Sequence, residues 1–190
     1  MKNVILNNGV EMPILGFGVY QIPQEETKQA VLDAIDVGYR LIDTAQSYFN
    51  EEQVGEAIAE CDVPRDELFI TTKVWIENYG YEKCKESVYE SLKKLNLDYI
   101  DLVLLHQPFS DTMEHTGPLK SKREGVIRAI GVSNFYPDRL TDICLFGRKI
   151  IPAVNQVECN PLNAQYKAQE NMDKYKVQTS AWAPFGEGME

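Results

Sequence analysis

Four polar side chains of this chain could together move a proton: a carboxylate, a phenol, an ammonium and an imidazole, from Asp43, Tyr48, Lys73 and His106. A tyrosine with its ordinary pKa of about 10 is a poor acid at neutral pH, and a nearby ammonium lowers that pKa. Lys73 could supply this charge, and Asp43 could pair with Lys73 and hold it in place. The set predicts a relay in which Tyr48 gives a proton to a carbonyl oxygen. His106 would hydrogen-bond either the same oxygen or the Tyr48 hydroxyl.

Taken singly, each of these residues has an ordinary structural explanation. The aspartate could cap a helix, the tyrosine could anchor a loop, the lysine could lay its stem along apolar surface, and the histidine could lie hydrogen-bonded in the core. Their positions favour chemistry, because polar residues stand where successive apolar runs stop. These residues are Asp43, Lys73, His106, Ser133 with Asn134, and Gln156. Five runs that end in this way indicate a common site.

The elements that would position these residues alternate between strand and helix patterns. The opening stretch NVILNNGVEMPI contains Asn8-Gly9, which is typical of a two-residue hairpin turn. Seven strand-like runs follow, within ILGFGVY, YRLIDTA, ELFITTKV, YIDLVLLH, VIRAIGVSN, PAVNQVEC and VQTSAWAPF. Helical patterns lie in QEETKQAVLDAIDVG, EEQVGEAIAE, YEKCKESVYESLKKL, DRLTDICLF and NAQYKAQENMDKY. This alternation predicts either a (β/α)8 barrel or a doubly wound open sheet.

The polar residues at the run ends favour the barrel. In a barrel, functional side chains come from the carboxyl ends of several strands and from the loops that follow them. A nucleotide-binding open sheet has a glycine-rich turn after its first strand. Here Gly16 and Gly18 lack the G-x-G-x-x-G spacing, because position 21 is glutamine.

Composition argues against several classes of protein. The 29 acidic residues outnumber the 19 basic ones, and a net charge of −10 does not suit binding to a nucleic-acid backbone. No apolar run approaches the roughly 20 residues of a membrane span, and the first residues do not resemble a signal peptide. The cysteines lie far apart and form no C-x-x-C pair, which indicates no metal site and a reducing compartment, the cytoplasm. They are Cys61, Cys84, Cys144 and Cys159.

Over nearly its whole length the chain resembles the aldo-keto reductase family. The similarity lies in GYRLIDTAQSYFNEEQVGEAI, ELFITTKVW, YIDLVLLHQP, IRAIGVSNF, VNQVECNP and SAWAPFG, in the family's order and spacing. The resemblance implies a (β/α)8 barrel that uses NADPH, without metal or flavin, to transfer a hydride to an aldehyde or ketone. It implies that Tyr48 is the acid, that Lys73 and Asp43 tune it, and that His106 orients the substrate.

The resemblance also implies which residues line the cofactor and substrate cleft. The cofactor-binding positions would be Gly18, Val19, Tyr20, Asp43, Ser133, Asn134, Gln156 and Trp182. The substrate-binding positions would be Tyr48, Trp75 and His106. Ser133, Asn134 and Gln156 match the positions that hold the nicotinamide carboxamide. Trp182 falls where the family places a ring under the nicotinamide, usually tyrosine, and a tryptophan face can stack in the same way.

One departure from the family pattern is length. The chain ends at Glu190, just after the seventh strand-like run, whereas a barrel of this kind typically needs about 250 residues. We therefore expect a single domain over residues 1–190: a (β/α)8 TIM barrel that is incomplete, with about seven of the eight strands, and that has an N-terminal β-hairpin. In the family the absent part holds the adenosine 2′-phosphate, so the preference for NADPH over NADH is implied by resemblance alone.

A second departure is the stretch SDTMEHTGPLKSKREG, which has no apolar stripe where the family has a helix. Gly117 and Pro118 disfavour a helix interior. Codons for a family-like Tyr-Gly-Ala-Tyr-Arg-Ala, read one base later, spell Met-Glu-His-Thr-Gly-Pro, which is residues 113–118. We therefore hypothesise that 113–123 is a frameshifted segment between two compensating frameshifts.

Three functions remain open at this point. The first is an NADPH-dependent carbonyl reductase, and the alternative is a catalytically impaired or inactive barrel fragment or binding subunit. A third, another metal-free barrel enzyme such as an isomerase, is disfavoured because the chain has neither a phosphate-binding glycine loop after a late strand nor paired carboxylates at strand ends. We expect a small carbonyl compound as substrate, no nucleic-acid or membrane partner, and a monomer or weak homo-oligomer.

Overall fold

A computed structural model describes residues 2–109, 125–146 and 151–186 of the chain. The segment 113–123, for which the sequence suggests a frameshift, lies outside the described residues. None of the helices within the described ranges combines the length and apolarity that a membrane crossing needs.

The chain opens with an antiparallel hairpin of β1 (Asn3–Ile5) and β2 (Glu11–Pro13), as predicted. Leu6 and Val10 extend the pairing by one hydrogen bond, which leaves residues 7–9 as the loop. This loop is one residue longer than the predicted two-residue turn. The Leu6 amide donates to the Val10 carbonyl, and the Gly9 amide donates to the Leu6 carbonyl, both at 2.9 Å. Gly9 has φ of +84°, the left-handed conformation in which a three-residue hairpin loop ends.

Seven parallel strands form a single sheet, and each strand pairs with the one that precedes it in sequence. A doubly wound sheet would reverse its strand order part-way, so this order rules out the open-sheet alternative. The sheet curls into a partial barrel, which confirms the predicted incomplete (β/α)8 architecture with seven strands. The strands are β3 (Gly16–Gly18), β4 (Leu41–Asp43), β5 (Phe69–Val74), β6 (Ile100–Leu105), β7 (Ile127–Ser133), β8 (Val154–Glu158) and β9 (Gln178–Trp182).

Helices follow most strands and cover the outer face of the sheet. Each helical pattern of the sequence corresponds to a helix, with ends that differ by a few residues at most. The described helices are α1 (Gln24–Asp36), α2 (Glu51–Glu60), α3 (Tyr81–Leu95), α4 (Pro137–Phe146) and α5 (Tyr166–Lys174). Gly38, two residues after the end of α1, turns the chain away from the helix. It has φ of +104°, a conformation that a residue with a side chain rarely adopts.

The core lies on both faces of the sheet. Between strands and helices, apolar side chains such as Val31, Ile70, Val88 and Ile130 pack together. β5 and β6 are buried along their whole lengths, as expected of strands covered on two sides. Burying these apolar surfaces at about 25 cal/mol per Å² supplies most of the driving force for the fold.

The hairpin covers the amino ends of the later strands. Leu6 and Met12 pack with Phe69, Leu102 and Val154 in a separate cluster of buried residues. With that end of the sheet covered, the opposite end, where the carboxyl ends of the strands meet, is left for a functional site.

Candidate active site

Lys73 lies at the centre of the predicted site. Its β5 strand is buried, and the side chain is only 1% exposed. The ammonium has three donors. It pairs with the Asp43 carboxylate and donates to the Thr44 carbonyl at 3.0 Å and to the Tyr48 hydroxyl at 3.1 Å. All the donors of a buried charge are therefore used, and one of them reaches the phenol.

The charge of Lys73 is held by its partners. Burial by itself lowers the pKa of Lys73, because it penalises the charged form. The Asp43 carboxylate and the Tyr48 oxygen act in the opposite direction and leave the pKa above its ordinary value. The side chain is therefore an ammonium at neutral pH.

Tyr48 corrects one expectation from the sequence. Burial raises the pKa of Tyr48, and this effect outweighs the lowering by the Lys73 ammonium, while the Asp43 carboxylate raises the pKa further. The expected net lowering of this pKa is therefore wrong for the chain by itself, although Lys73 acts in the expected sense. At neutral pH the phenol keeps its proton.

The segment that carries Tyr48 is a short turn, residues Gln46–Tyr48, between β4 and α2. The side-chain amide of Gln46 fixes this turn to two other segments. Its oxygen accepts from the Trp75 amide at 3.0 Å and from the Asn78 side chain at 2.9 Å. Its nitrogen donates to the Ser87 carbonyl and the Ser91 hydroxyl of α3, both at 3.2 Å. A single side chain thus ties the Tyr48 turn to the Trp75 segment and to a helix.

Two further buried residues hold the end of the same segment. The Asn50 side chain donates to the Val19 carbonyl at 3.0 Å and accepts from the Thr44 hydroxyl at 2.8 Å. Glu51 accepts a hydrogen bond from the Thr72 hydroxyl at 2.7 Å. Burial raises the pKa of Glu51, and its hydrogen bonds offset this only in part. Sequence reasoning missed both residues, although an acidic residue in the first turn of a helix was a signal to examine.

His106 lies directly after β6, beside the phenol. Its ring is edge-on to the Tyr48 ring, with centroids 5.6 Å apart, and to the Trp75 ring, at 5.1 Å. Its Nδ1 atom is 3.3 Å from the Ser47 hydroxyl. Burial, and then the Lys73 ammonium, lower the pKa of His106 to about 4, so the ring is neutral at pH 7.

The sequence left two hydrogen-bond partners open for His106, namely the substrate oxygen and the Tyr48 hydroxyl. Within the residues that the structure describes, no hydrogen bond joins the His106 ring to that hydroxyl. The contact between the two rings is edge-on packing instead.

On the other side of Asp43 lie the residues expected to hold a nicotinamide. The Gln156 side chain, on β8, donates to the second Asp43 oxygen at 2.8 Å. The Ser133 hydroxyl donates to the Gln156 carbonyl at 3.0 Å. Asn134 has φ of +64°, and its side-chain oxygen accepts from the Trp182 indole at 2.9 Å. The predicted group is thus one connected network next to the charged pair.

The residues predicted from the β3 end lie on the same rim. Gly18 is paired with Asp43 in the sheet, and a β-carbon at Gly18 would meet nothing within 4 Å. Val19 is fully buried, and its amide donates to the Asp43 carbonyl at 3.0 Å. The Tyr20 ring is exposed, with its centroid 4.9 Å from that of Tyr48. The structure therefore brings every predicted site residue to one end of the sheet.

The sequence model described as the aldo/keto reductase family matches residues 14–189. The chain belongs to this family. Members of the family are oxidoreductases that use NADP(H). Among curated relatives, morphine 6-dehydrogenase of Pseudomonas putida is 45% identical over 185 residues, which cover 95% of this chain and 62% of the relative. An aldo-keto reductase of Mycolicibacterium smegmatis is 40% identical over 189 residues, which cover 97% and 68%.

Solved structures of the family show the same arrangement of strands and helices. An aldo/keto reductase from Brucella melitensis superposes with a TM-score of 0.94 at 40% identity, covering 97% of this chain and 73% of that one. The Bombyx mori aldo-keto reductase in complex with NADP gives a TM-score of 0.92 at 37% identity, covering 97% and 67%. The chain thus spans about two thirds of the length of the relatives it matches.

Proposed function

We propose that the chain reduces an aldehyde or ketone to the alcohol with NADPH, and that Tyr48 is the general acid. The observation that carries this proposal is the 3.1 Å contact between the ammonium of the buried Lys73 and the Tyr48 hydroxyl. A buried cation against a phenol stabilises the phenolate that remains when the proton leaves.

The raised pKa of Tyr48 suits this role. A general acid has to carry its proton before the reaction, and burial ensures that the phenol does so at neutral pH. As the proton moves to the carbonyl oxygen, negative charge develops on the phenol oxygen beside Lys73. Asp43 keeps Lys73 positively charged throughout, because its carboxylate raises the pKa of the ammonium.

His106 would orient the substrate. A carbonyl oxygen only accepts hydrogen bonds, so the imidazole must present an N–H group to it. The pKa of about 4 keeps this imidazole neutral, and a neutral ring next to Lys73 avoids a second buried positive charge. The Trp75 ring, edge-on to His106, would form one wall of the substrate pocket.

The residues around Asp43 suit a nicotinamide. Ser133, Asn134 and Gln156 provide hydroxyl and amide groups, which are the natural partners of a carboxamide. The Gln156 side-chain oxygen accepts no hydrogen bond from the described residues, so it can accept from the carboxamide nitrogen. Trp182 would stack on the ring, and Gly18, Val19 and Tyr20 would border it. When bound, the reduced nicotinamide supplies the hydride to the carbonyl carbon.

The test compares the variants Tyr48→Phe and Tyr99→Phe with the parent chain. NADPH binding is followed by quenching of tryptophan fluorescence, and turnover by loss of nicotinamide absorbance with a small aromatic aldehyde. Tyr48→Phe should lower kcat on the order of 10³-fold and leave NADPH binding nearly unchanged. Tyr99→Phe, next to Arg65 and away from the rim, should match the parent.

Two outcomes would decide against parts of the proposal. Equal turnover by Tyr48→Phe and the parent would show that Tyr48 is not the acid. NADPH binding without turnover by the parent, across aliphatic and aromatic aldehydes, would support the alternative of a binding subunit. The cytoplasmic location and the monomer or weak homo-oligomer remain predictions from the sequence.

A further inference from the structure

We propose that Ser47 is a positioning residue: its hydroxyl donates a hydrogen bond to Nδ1 of His106 and thereby keeps the ring proton on Nε2. This inference rests on the proposed function, in which His106 has to donate a hydrogen bond to a carbonyl oxygen. Ser47 is not among the residues that the sequence predicts for the relay.

The contact joins Ser47 Oγ to Nδ1 of His106 at 3.3 Å. Among the residues that the structure describes, Ser47 Oγ has no other hydrogen-bond partner. Its proton is therefore available to the ring nitrogen. A neutral imidazole has one nitrogen that donates and one that accepts, and the partner of the first nitrogen decides the role of the second.

Both partners are held in place. Ser47 lies between Gln46, whose side chain makes hydrogen bonds to the Trp75 segment and to α3, and Tyr48, whose hydroxyl meets Lys73. The His106 amide donates to the Val74 carbonyl at 3.1 Å. The Tyr48 and Trp75 rings pack nearly perpendicular to the imidazole and limit its rotation. The hydroxyl is thus presented to one nitrogen of a ring that cannot readily turn away.

The chemistry requires one tautomer. With the proton on Nε2, the ring offers an N–H group to a carbonyl oxygen. With the proton on Nδ1, Nε2 would present a lone pair to the lone pairs of that oxygen, which is repulsive. A hydroxyl that donates to Nδ1 therefore favours the productive form before the substrate arrives.

The tautomer can be measured directly by NMR, because the sequence contains only two histidines, His106 and His115. The 15N-labelled chain is studied at neutral pH without cofactor, and the variant His115→Gln assigns the signals. We expect a pyrrole-type shift for Nε2 of His106 and a pyridine-type shift for Nδ1. A pyrrole-type Nδ1 in the parent would overturn the inference.

The variants Ser47→Ala and Ser47→Thr test the origin of this preference. Ser47→Ala should move both nitrogen shifts towards the averaged values of exchanging tautomers, and Ser47→Thr should restore the parent values. If Ser47 had only a structural role, a Ser47→Ala variant with the Tm and circular dichroism of the parent would also keep the nitrogen shifts of the parent. Unchanged nitrogen shifts in a folded Ser47→Ala variant would overturn the inference.

Activity provides a second, separate measurement. Ser47→Ala should lower kcat/KM about fivefold, the size expected for loss of one hydrogen bond, and Ser47→Thr should recover most of it. An inactive parent that shows the expected tautomer would contradict the proposed function but support the role of Ser47. An active parent with the proton on Nδ1 would support the proposed function but contradict the role of Ser47.

Discussion

Two carboxylates at opposite ends of the sheet, the fully buried Asp101 and the partly exposed Asp43, both pair with cations but have different surroundings. At the amino end, Asp101 accepts from Arg65 at 2.7 Å, from Arg128 at 2.6 Å and from the Ile70 amide at 2.9 Å. We call this group the amino-end cluster. At the carboxyl end lies the rim cluster, which comprises Asp43, Tyr48 and Lys73.

The difference lies in what the cation touches. The arginines of the amino-end cluster cannot be deprotonated in a protein, and the carboxylate of Asp101 uses both of its oxygens on fixed partners. In the rim cluster the cation also reaches a phenol that can release a proton. The ion pairs of Asp101 therefore stabilise the fold. At the rim, the cation that Asp43 holds lies against a phenol that can react.

The largest effect is expected at the rim. Lys73→Met removes the charge that stabilises a Tyr48 phenolate, so kcat should fall about 10³-fold. Lys93→Met on the exposed face of α3 serves as the matched control and should retain the parent kcat. Steady-state kinetics at saturating NADPH measures the effect. A Lys73→Met variant as active as the control would show that the rim cluster is structural in the same way as the amino-end cluster.

The next effect is expected at the amino end, and on stability. Asp101→Asn leaves two arginines without their common carboxylate and should lower the free energy of unfolding by about 3 kcal/mol. Its kcat should stay close to that of the parent under conditions where the variant is folded. Urea denaturation measures the change, with the exposed Asp98→Asn as control. If Asp101→Asn were as stable as Asp98→Asn, the cluster would not contribute to stability.

The smallest effect is a pH dependence at the rim. Since burial and Lys73 lower the pKa of His106 from 6.5 to about 4, the unfolded chain binds a proton in this range that the folded chain does not. The free energy of unfolding is therefore unaffected by this group above pH 6.5 and decreases as the pH falls towards 4. The decrease amounts to about 2 kcal/mol after allowance for partial exposure of the ring.

The variant His106→Asn isolates this contribution. Denaturation at a series of pH values should show a shallower loss of stability between pH 6.5 and 4 than in the parent. Glu51, whose raised pKa contributes in the opposite sense, is present in both proteins and cancels in the difference. Parallel stability curves for the parent and His106→Asn would contradict the lowered pKa.

The order of elements and the members of the rim cluster could be predicted from the sequence. Apolar runs that stop at Asp43, Lys73 and His106 already show that these side chains share one end of a parallel sheet. The sign of the Tyr48 pKa shift could not be predicted, because it depends on how far the folded chain excludes water from that hydroxyl. No periodic pattern marks a side chain such as Gln46, whose four hydrogen-bond partners stand at positions 75, 78, 87 and 91 of the chain.

The amino-end cluster was also beyond sequence reasoning. Arg65 and Arg128 lie 36 and 27 positions from Asp101, and an arginine side chain usually lies exposed to solvent. Only the register of β5, β6 and β7 brings the three side chains together.

The opening hairpin has a consequence for the order in which the chain can fold. Its loop residues Asn7 and Asn8 donate to the carbonyls of Pro152, Lys176 and Arg128, across 145, 169 and 120 positions of sequence. The hairpin loop therefore finds these partners only after the segment up to Lys176 has been synthesised. Contacts of such long sequence separation slow folding, because loop closure costs entropy before the contact forms. During that interval the hairpin loop lacks the carbonyl groups that it contacts in the folded chain.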